Sequence, residues 1–350
     1  GLESLGRVEI FRTRPPPPPR PRPTMAIHVG GFKILWHRHD TDTGKVVDMQ
    51  AAVAEMLAMM MFVTIGCGTA CGHGAIDGET RLVVAFAFGM GILVLAYAVG
   101  HLSGGQINCA VTFSLVLGGH LPWYQGVVNT LMHAIGSILG ALFLSSIFSC
   151  ERDHTGNLGS NVISKDFTTG GALLAEIFGT FLLCMIVYET AVSTRSKADA
   201  NANLAIGFAV FLSHLVLLPI DGCSINPVRS LGPALVAEMR RDCGNFAEGG
   251  LRDLWVMWVG PLVGAAIAAG VKFLFAYDPV KEKELMEARA SEEMKASEES
   301  LERVMSKRDT DGLTCRQDAA LALKAGHEPG ERAGPRSKQE IDDSIVRSIV

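Results

Sequence analysis

Six apolar runs of about twenty residues constrain the fold of this 350-residue chain more than any other feature. An α-helix of about twenty apolar residues crosses the roughly 30 Å hydrocarbon layer of a bilayer. The strict alternation that a membrane β-barrel needs is absent, because Leu, Val, Ala and Met run together. The sequence therefore predicts an all-α, multi-pass membrane protein with spans near residues 50–71, 82–100, 124–147, 171–192, 203–220 and 253–277.

Charge and proline divide the chain into three regions. Residues 278–350 hold 30 of the 67 charged residues, and residues 15–23 read PPPPPRPRP, an extended segment with no core of its own. We expect a Pro-rich tail over 1–45, a membrane domain over 46–277 and a charged tail over 278–350. Because the first apolar run begins about fifty residues in, no segment has the form of a cleavable signal peptide.

Basic residues favour an orientation with both termini in the cytosol. Lys33, Arg38 and Lys45 lie shortly before the first span. Arg195 and Lys197 lie in the short loop 193–202. The loop before the last span would then be outside, and its Arg240, Arg241 and Arg252 oppose this orientation.

The eight cysteines show no metal-ligand spacing, and no catalytic residue, metal or cofactor is expected. Four lie in or beside apolar spans, where a cysteine is expected to act as a small buried hydrophobic residue. These four are Cys67, Cys71, Cys109 and Cys184. Cys150 and Cys243 lie in loops predicted to share one side of the membrane, so they could pair.

The membrane domain contains an internal repeat. The segment AVAEMLAMMMFVTIGCGTA (52–70) resembles LLAEIFGTFLLCMIVYETA (173–191), with Glu55 and Glu176 in register. Each copy, about 46–148 and 168–277, has three spans, so the second copy is inserted upside down relative to the first. Inverted repeats place a functional site near the bilayer midplane, where the two halves meet.

Two Ile-Asn segments, each about fifty residues after its Glu, interrupt the apolar pattern. Backbone that leaves a helix at membrane depth must be hydrogen-bonded by protein or line a watery cavity. Asn is a strong N-cap, and Pro227 suits the first position of a helix. The pattern predicts re-entrant half-helices that begin at Asn108 and Asn226 and direct their positive ends at one midplane point, where they repel cations and protons.

With these motifs, residues 46–277 resemble the aquaporins of the major intrinsic protein family. The paired Asn-Pro-Ala motifs of that family appear here as Asn108-Cys109-Ala110 and Asn226-Pro227-Val228. The resemblance implies six spans and two half-helices, a homotetramer with one pore per subunit, and passive passage of water without chemistry. It also implies that the two Asn side chains donate to a central water and interrupt the chain of waters along which protons would move.

The resemblance assigns a narrow selectivity filter by spacing from the two motif Asn residues. Its four members are Phe88, His214, Cys223 and Arg229. In this role Phe88 and His214 narrow the pore, Arg229 and His214 donate hydrogen bonds, and Arg229 repels cations. Taken alone, Arg229 could instead snorkel to the interface, and His214 could be a satisfied helix histidine.

Four further positions separate water-selective from glycerol-conducting relatives. Ser230, Ala234 and Trp258 follow the water-selective pattern, whereas Met257 departs from it because water channels usually have an aromatic residue there. We therefore expect a water channel that excludes protons and ions. The alternatives are a broader channel for hydrogen peroxide, urea or glycerol, an ion-coupled secondary transporter with the same kind of repeat, and a non-conducting homologue.

Glu55 and Glu176 are the acids well inside the first and fourth spans, where they could form a proton relay or accept hydrogen bonds. By resemblance, each accepts from the backbone of a re-entrant loop. Two departures from the family pattern accompany them. Cys109 replaces a proline, so the first half-helix is expected to begin less rigidly, and His133 stands where a glutamine is usual, as a core histidine or a source of pH sensitivity.

The tails suggest partners only weakly. Ser291, Ser297 and Ser300 lie beside acidic residues and could be kinase sites, and the last three residues, 348–350, could add a strand to a PDZ domain. Apart from these, the expected partners are water, the lipid bilayer and further copies of the chain. No nucleic acid is expected.

Overall fold

The structure is a computed structural model that describes residues 26–29, 31–36, 44–74, 77–193, 195–198, 201–240, 250–276 and Ser291. Six helices within these residues are long and apolar enough to cross a membrane. They are α1 (Met49–His73), α2 (Gly78–Ser103), α4 (Trp123–Ile147), α5 (Thr169–Val187, continued by one π-helical turn, Tyr188–Val192), α6 (Ala202–Asp221) and α8 (Gly250–Ala276). All six predicted spans are confirmed.

Two short helices lie between the spans and confirm the predicted half-helices. They are α3 (Cys109–Leu117) and α7 (Pro227–Glu238). Asn108 is the N-cap of α3 and Asn226 is the N-cap of α7, with Pro227 at the first helical position. An extended backbone at each Asn and a side-chain oxygen that accepts helix N–H groups explain why both helices begin there.

The packing of the helices repeats between the two halves. In the first half α1 packs on α4, and in the second half α5 packs on α8. Each half-helix lies against the last span of the other half, α3 on α8 and α7 on α4. The two halves are thereby interlocked, as an inverted repeat with exchanged half-helices requires.

Glycines allow the close approach within each half. A Cβ added at Gly140 would lie 2.6 Å from Met60 O, and one at Gly260 would lie 2.6 Å from Glu176 Cβ. Any larger residue would separate α1 from α4 or α5 from α8. Small residues at helix interfaces are how membrane helices gain van der Waals contact in the absence of a hydrophobic driving force.

A three-stranded sheet that the sequence did not predict precedes α1. Strand β1 (Ala26–Val29) pairs antiparallel with β2 (Phe32–Leu35), and β2 pairs parallel with β3 (Val46–Asp48). The Phe32 ring packs edge-on against Trp123 and Tyr124, at centroid distances of 6.0 and 5.8 Å. These contacts attach the sheet to the start of α4, whereas strands of three or four residues are too short to show a period-2 pattern.

The cysteines divide into buried thiols and one bonded residue. Among the described residues, the free thiols are Cys67, Cys71, Cys109, Cys184 and Cys223, and all are buried. Cys150, which follows α4, is disulfide-bonded. Cys243, its predicted partner, lies outside the described residues, as do the proline run 15–23, Ser297, Ser300 and residues 348–350.

Candidate pore

Each re-entrant loop reaches its half-helix through a left-handed backbone. In the first loop Gly104 and Gly105 have φ of 90° and 63°, and Ile107 has φ of 49°. In the second loop Gly222, Cys223 and Ile225 have φ of 81°, 54° and 44°. A β-branched residue in this region is uncommon and costs on the order of 1–3 kcal/mol, so surrounding contacts must hold it.

Glu55 and Glu176 make those contacts in the two halves. The Glu55 carboxylate accepts the N–H groups of Gln106 and Ile107 at 2.8 and 2.7 Å, and Glu176 accepts those of residues 224 and 225, both at 2.7 Å. Both carboxylates are fully buried. Two consecutive N–H groups directed at one carboxylate fix the strained turn, since charge-assisted hydrogen bonds are strong in a low dielectric.

His133 completes the partners of Glu55. Its Nε2 lies 2.6 Å from Glu55 Oε2, and both side chains are fully buried. Ser103 Oγ donates to the other carboxylate oxygen at 2.7 Å. His133 is therefore a core residue that holds the carboxylate of the first loop.

The two motif Asn residues bind each other's loops. Asn108 Nδ2 donates to Ile225 O at 2.8 Å, and Asn226 Nδ2 donates to Ile107 O at 2.9 Å. Asn108 Oδ1 accepts the N–H of Ala110 at 2.8 Å, and Asn226 Oδ1 lies 3.4 Å from the backbone nitrogen of Arg229. The two helix N-termini thus meet at the centre of the molecule, each with its carboxamide fixed by its own cap and by the opposite loop.

Cys109 and Val228 occupy the positions where the family motifs differ from this chain. Both side chains are buried, as is Ala110. Although Cys109 lacks a proline ring, it is the first residue of α3. Asn108 Oδ1 accepts the Ala110 N–H there and also lies 3.4 Å from Val111 N. The less rigid start expected from the missing proline stays a prediction.

The four predicted filter residues lie together at the second loop. The rings of Phe88 and His214 stack at a centroid distance of 4.4 Å, and the Arg229 guanidinium carbon lies 4.7 Å from the centre of the Phe88 ring. Cys223 is fully buried in the loop before Asn226. The family resemblance assigned these four residues by their spacing from the motif Asn residues, and the fold places Phe88, His214 and Arg229 in direct contact.

Arg229 is held by the segment that joins α4 to α5. Its Nη1 donates to Gly159 O at 3.2 Å and to Asn161 Oδ1. Asn161 Nδ2 in turn donates to Asp221 O at 3.1 Å, which ties the guanidinium to the end of α6. A polar residue in a long connection carries little sequence signal, and Asn161 was not predicted.

Two nitrogens of the filter have no hydrogen-bond partner within the described part of the chain, His214 Nε2 and Arg229 Nε. The ring of His214 uses Nδ1 on Val210 O at 2.9 Å. A neutral His214 therefore accepts through Nε2, which differs from the donor role expected from the sequence. The filter thus leaves one neutral acceptor and one cationic donor unpaired, a combination that suits a small molecule able both to donate and to accept.

A cavity of about 260 Å³ lies next to the first re-entrant loop. Residues of the loop, Gln106 and Asn108 among them, line it together with Ile92, His120 and Val192. The lining is mostly aliphatic, so few polar groups compete with Gln106 and Asn108 for a molecule in this cavity.

Comparison with known proteins identifies the family from the sequence. Residues 43–272 match the major intrinsic protein family. The chain belongs to this family. It is therefore a multi-pass membrane channel rather than an enzyme, and the match contains both re-entrant loops and all four predicted filter residues.

Relatives support the assignment over most of their length. The chain is 38% identical over 228 residues to the probable aquaporin PIP-type 7a of Pisum sativum, a match that covers 63% of the chain and 76% of the relative. It is 35% identical over 229 residues to aquaporin-1 of Bos taurus, covering 63% of the chain and 79% of that protein.

A solved structure supports the fold alone. The aquaglyceroporin from Plasmodium falciparum superposes with a TM-score of 0.56 at 16% identity, over 63% of this chain and 94% of the other. At this identity the likeness shows the arrangement of helices and says nothing about the permeant. The roles of the individual pore residues remain predictions.

Proposed function

We propose that the chain is a passive water channel that excludes protons and ions, with Phe88, His214, Cys223 and Arg229 as its filter. The geometry of the two Asn side chains carries this proposal. Each Nδ2 uses one N–H on the opposite loop, and the second N–H has no partner among the described residues. Two such N–H groups would donate to the oxygen of one central water and orient its own hydrogens away from the centre.

That orientation would prevent proton transfer along a file of waters, because the central water could not accept from its neighbours. The positive ends of α3 and α7 add a barrier to cations at the same point. Arg229 adds a fixed positive charge at the filter. The names of the relatives, aquaporins of plant and animal origin, agree with water as the permeant.

The wider arrangement of the protein belongs to the same proposal. Residues 46–277 would form the channel, with cytosolic tails over 1–45 and 278–350, and four copies would assemble with one pore each. Large apolar side chains cover the outer faces of the spans, Leu131 and Leu174 being 59% and 69% exposed. Such faces require lipid or neighbouring copies.

Stopped-flow light scattering of proteoliposomes tests the function. After an osmotic step, liposomes with the chain should shrink much faster than protein-free liposomes, with no increase in glycerol uptake and no faster decay of a pH gradient. Arg229→Val should keep the water flux and admit protons or glycerol. Equal water fluxes with and without protein, or rapid proton passage through the native chain, would contradict the proposal.

A further inference from the structure

A buried row of polar side chains runs along α4 toward the first loop. Gln125, Asn129 and His133 are spaced four residues apart, so they lie on one face of the helix. All three are buried, and Asn129 and His133 are fully so. His133 holds Glu55, as described above, which leaves Gln125 and Asn129 without a role in the mechanism.

The row begins at the backbone N–H of Asp48, which can only donate a hydrogen bond. The N–H of Asp48, the last residue of β3, donates to Gln125 Oε1 at 2.8 Å, and Gln125 Nε2 donates to Asp48 O at 3.1 Å. A peptide N–H can only donate, so the Gln125 side chain must place its oxygen there. Its Nε2 is then available to Asn129 Oδ1 at 2.8 Å.

Asn129 connects Gln125 to Gln106 in the first re-entrant loop, and its own orientation is fixed by Gln125. Because Asn129 Oδ1 accepts from Gln125, its Nδ2 faces the loop and donates to Gln106 Oε1 at 2.9 Å. The Thr112 hydroxyl is a second group within reach of that oxygen, at 3.0 Å. Gln106 therefore holds its oxygen toward the protein, and its Nε2 donates to Ser103 O at 2.9 Å.

The second N–H of Gln106 Nε2 is free to donate a hydrogen bond to a permeating molecule. It has no partner among the described residues, and Gln106 lines the cavity next to Asn108. We propose that Asn129 is a positioning residue for conduction: it holds the Gln106 amide so that an N–H, and not a carbonyl, faces the lumen beside Asn108. This inference rests on the proposed function, because the molecule that accepts from Gln106 is the permeating water.

A double-mutant cycle in proteoliposomes tests whether Asn129 acts through Gln106. The water permeability per channel is measured for the native chain, Asn129→Leu, Gln106→Leu and the double variant. We expect Asn129→Leu to lower permeability about fivefold, the rate equivalent of one hydrogen bond, and the double variant to match Gln106→Leu. If Asn129 only supported the fold, the permeability of the double variant would fall by the product of the two single losses.

Two further variants keep the test decisive. Asn129→Ser is too short to reach Gln106 and disturbs the helix less, so it replaces Asn129→Leu if that variant does not fold. Thr130→Ala, one position along α4 and with no bond to the row among the described contacts, serves as the control with native permeability.

The outcomes separate the two proposals. Native chain without water flux would overturn the proposed function itself. If the native chain conducts water, two results would overturn only the role of Asn129. One is that the Asn129 variants conduct as the native chain does, and the other is that the losses of permeability in the two single variants multiply in the double variant.

Discussion

At the scale of single residues, the proposed filter contains buried polar atoms that have no partner within the described part of the chain. His214 Nε2 and Arg229 Nε are buried and have no partner within the described residues, although unpaired buried polar groups normally cost on the order of 1–3 kcal/mol. Such atoms are expected where a permeant supplies the missing bond during transit. The same residues are fixed on their other atoms, by Val210 and Gly159, so that binding does not require rearrangement.

The free thiol of Cys223 gives a chemical test of the filter. Cys223 lies in the predicted filter and Cys109 lies at the midpoint, and both are buried and free. We expect mercurials to block water flux through one of these two thiols, because a bound mercury atom fills a narrow passage. Cys223→Ser and Cys109→Ser are assayed singly and together, and undiminished block in the double variant would refute the assignment.

His120 gives a test of charge at the cavity on the side of the first loop. Partial burial lowers the pKa of His120, and the nearby positive charge of Lys272 lowers it further. The folded chain therefore binds this proton less readily than the unfolded chain, so stability falls as the pH drops below the ordinary histidine pKa of about 6.5. Lys272→Met should raise the pKa of His120, whereas Lys272→Arg should leave it low.

The pKa is measured from the ring nitrogen shifts in NMR spectra of histidine-labelled protein, with His120→Gln to assign the signal. The rise in Lys272→Met should be partial, because burial is the larger cause. Identical titration curves in the native and Lys272→Met chains would show that Lys272 has no influence on the ring.

At the scale of the elements, the spans and half-helices could be predicted from the sequence, whereas the contacts between distant segments could not. The spans were predictable because length and apolarity are local properties, and the half-helices were predictable because Asn108 and Asn226 are local caps. The hydrogen bond between Arg229 and Asn161 joins residues 68 positions apart, and no periodicity encodes such a contact. The row of Gln125, Asn129 and His133 was not predicted, and its four-residue spacing in an apolar helix is the signal that could have found it.

The packing of α5 on α8 can be tested with two glycines of the same helix. A Cβ at Gly264 would overlap Ile177 O on α5, whereas a Cβ at Gly270 would meet nothing within 4 Å. Gly264→Ala should therefore destabilise the protein by about 1–3 kcal/mol through overpacking, and Gly270→Ala should not. Thermal unfolding in detergent, followed by size-exclusion chromatography, measures both. Equal midpoints for the two variants would mean that the helices separate at little cost.

At the scale of the whole molecule, the orientation in the membrane can be argued from two independent features. Basic residues favour cytosolic termini, but Arg240 and Arg252 oppose this. The disulfide at Cys150 favours cytosolic termini, because disulfides persist in oxidising compartments and are rare in the cytosol. Cys150 lies in the connection between α4 and α5, which is outside only if both termini are cytosolic.

Exposed lysines in two connections allow a matched test of this orientation. Lys165 lies in the connection between α4 and α5, Lys197 lies between α5 and α6, and both are exposed. In a chain expressed at the surface of a host cell, a membrane-impermeant maleimide should label Lys165→Cys in intact cells and Lys197→Cys only after permeabilisation. The native free thiols of the described residues are buried and should contribute little background. The reverse pattern would place the termini outside, and the Cys150 disulfide would then lie on the reducing side.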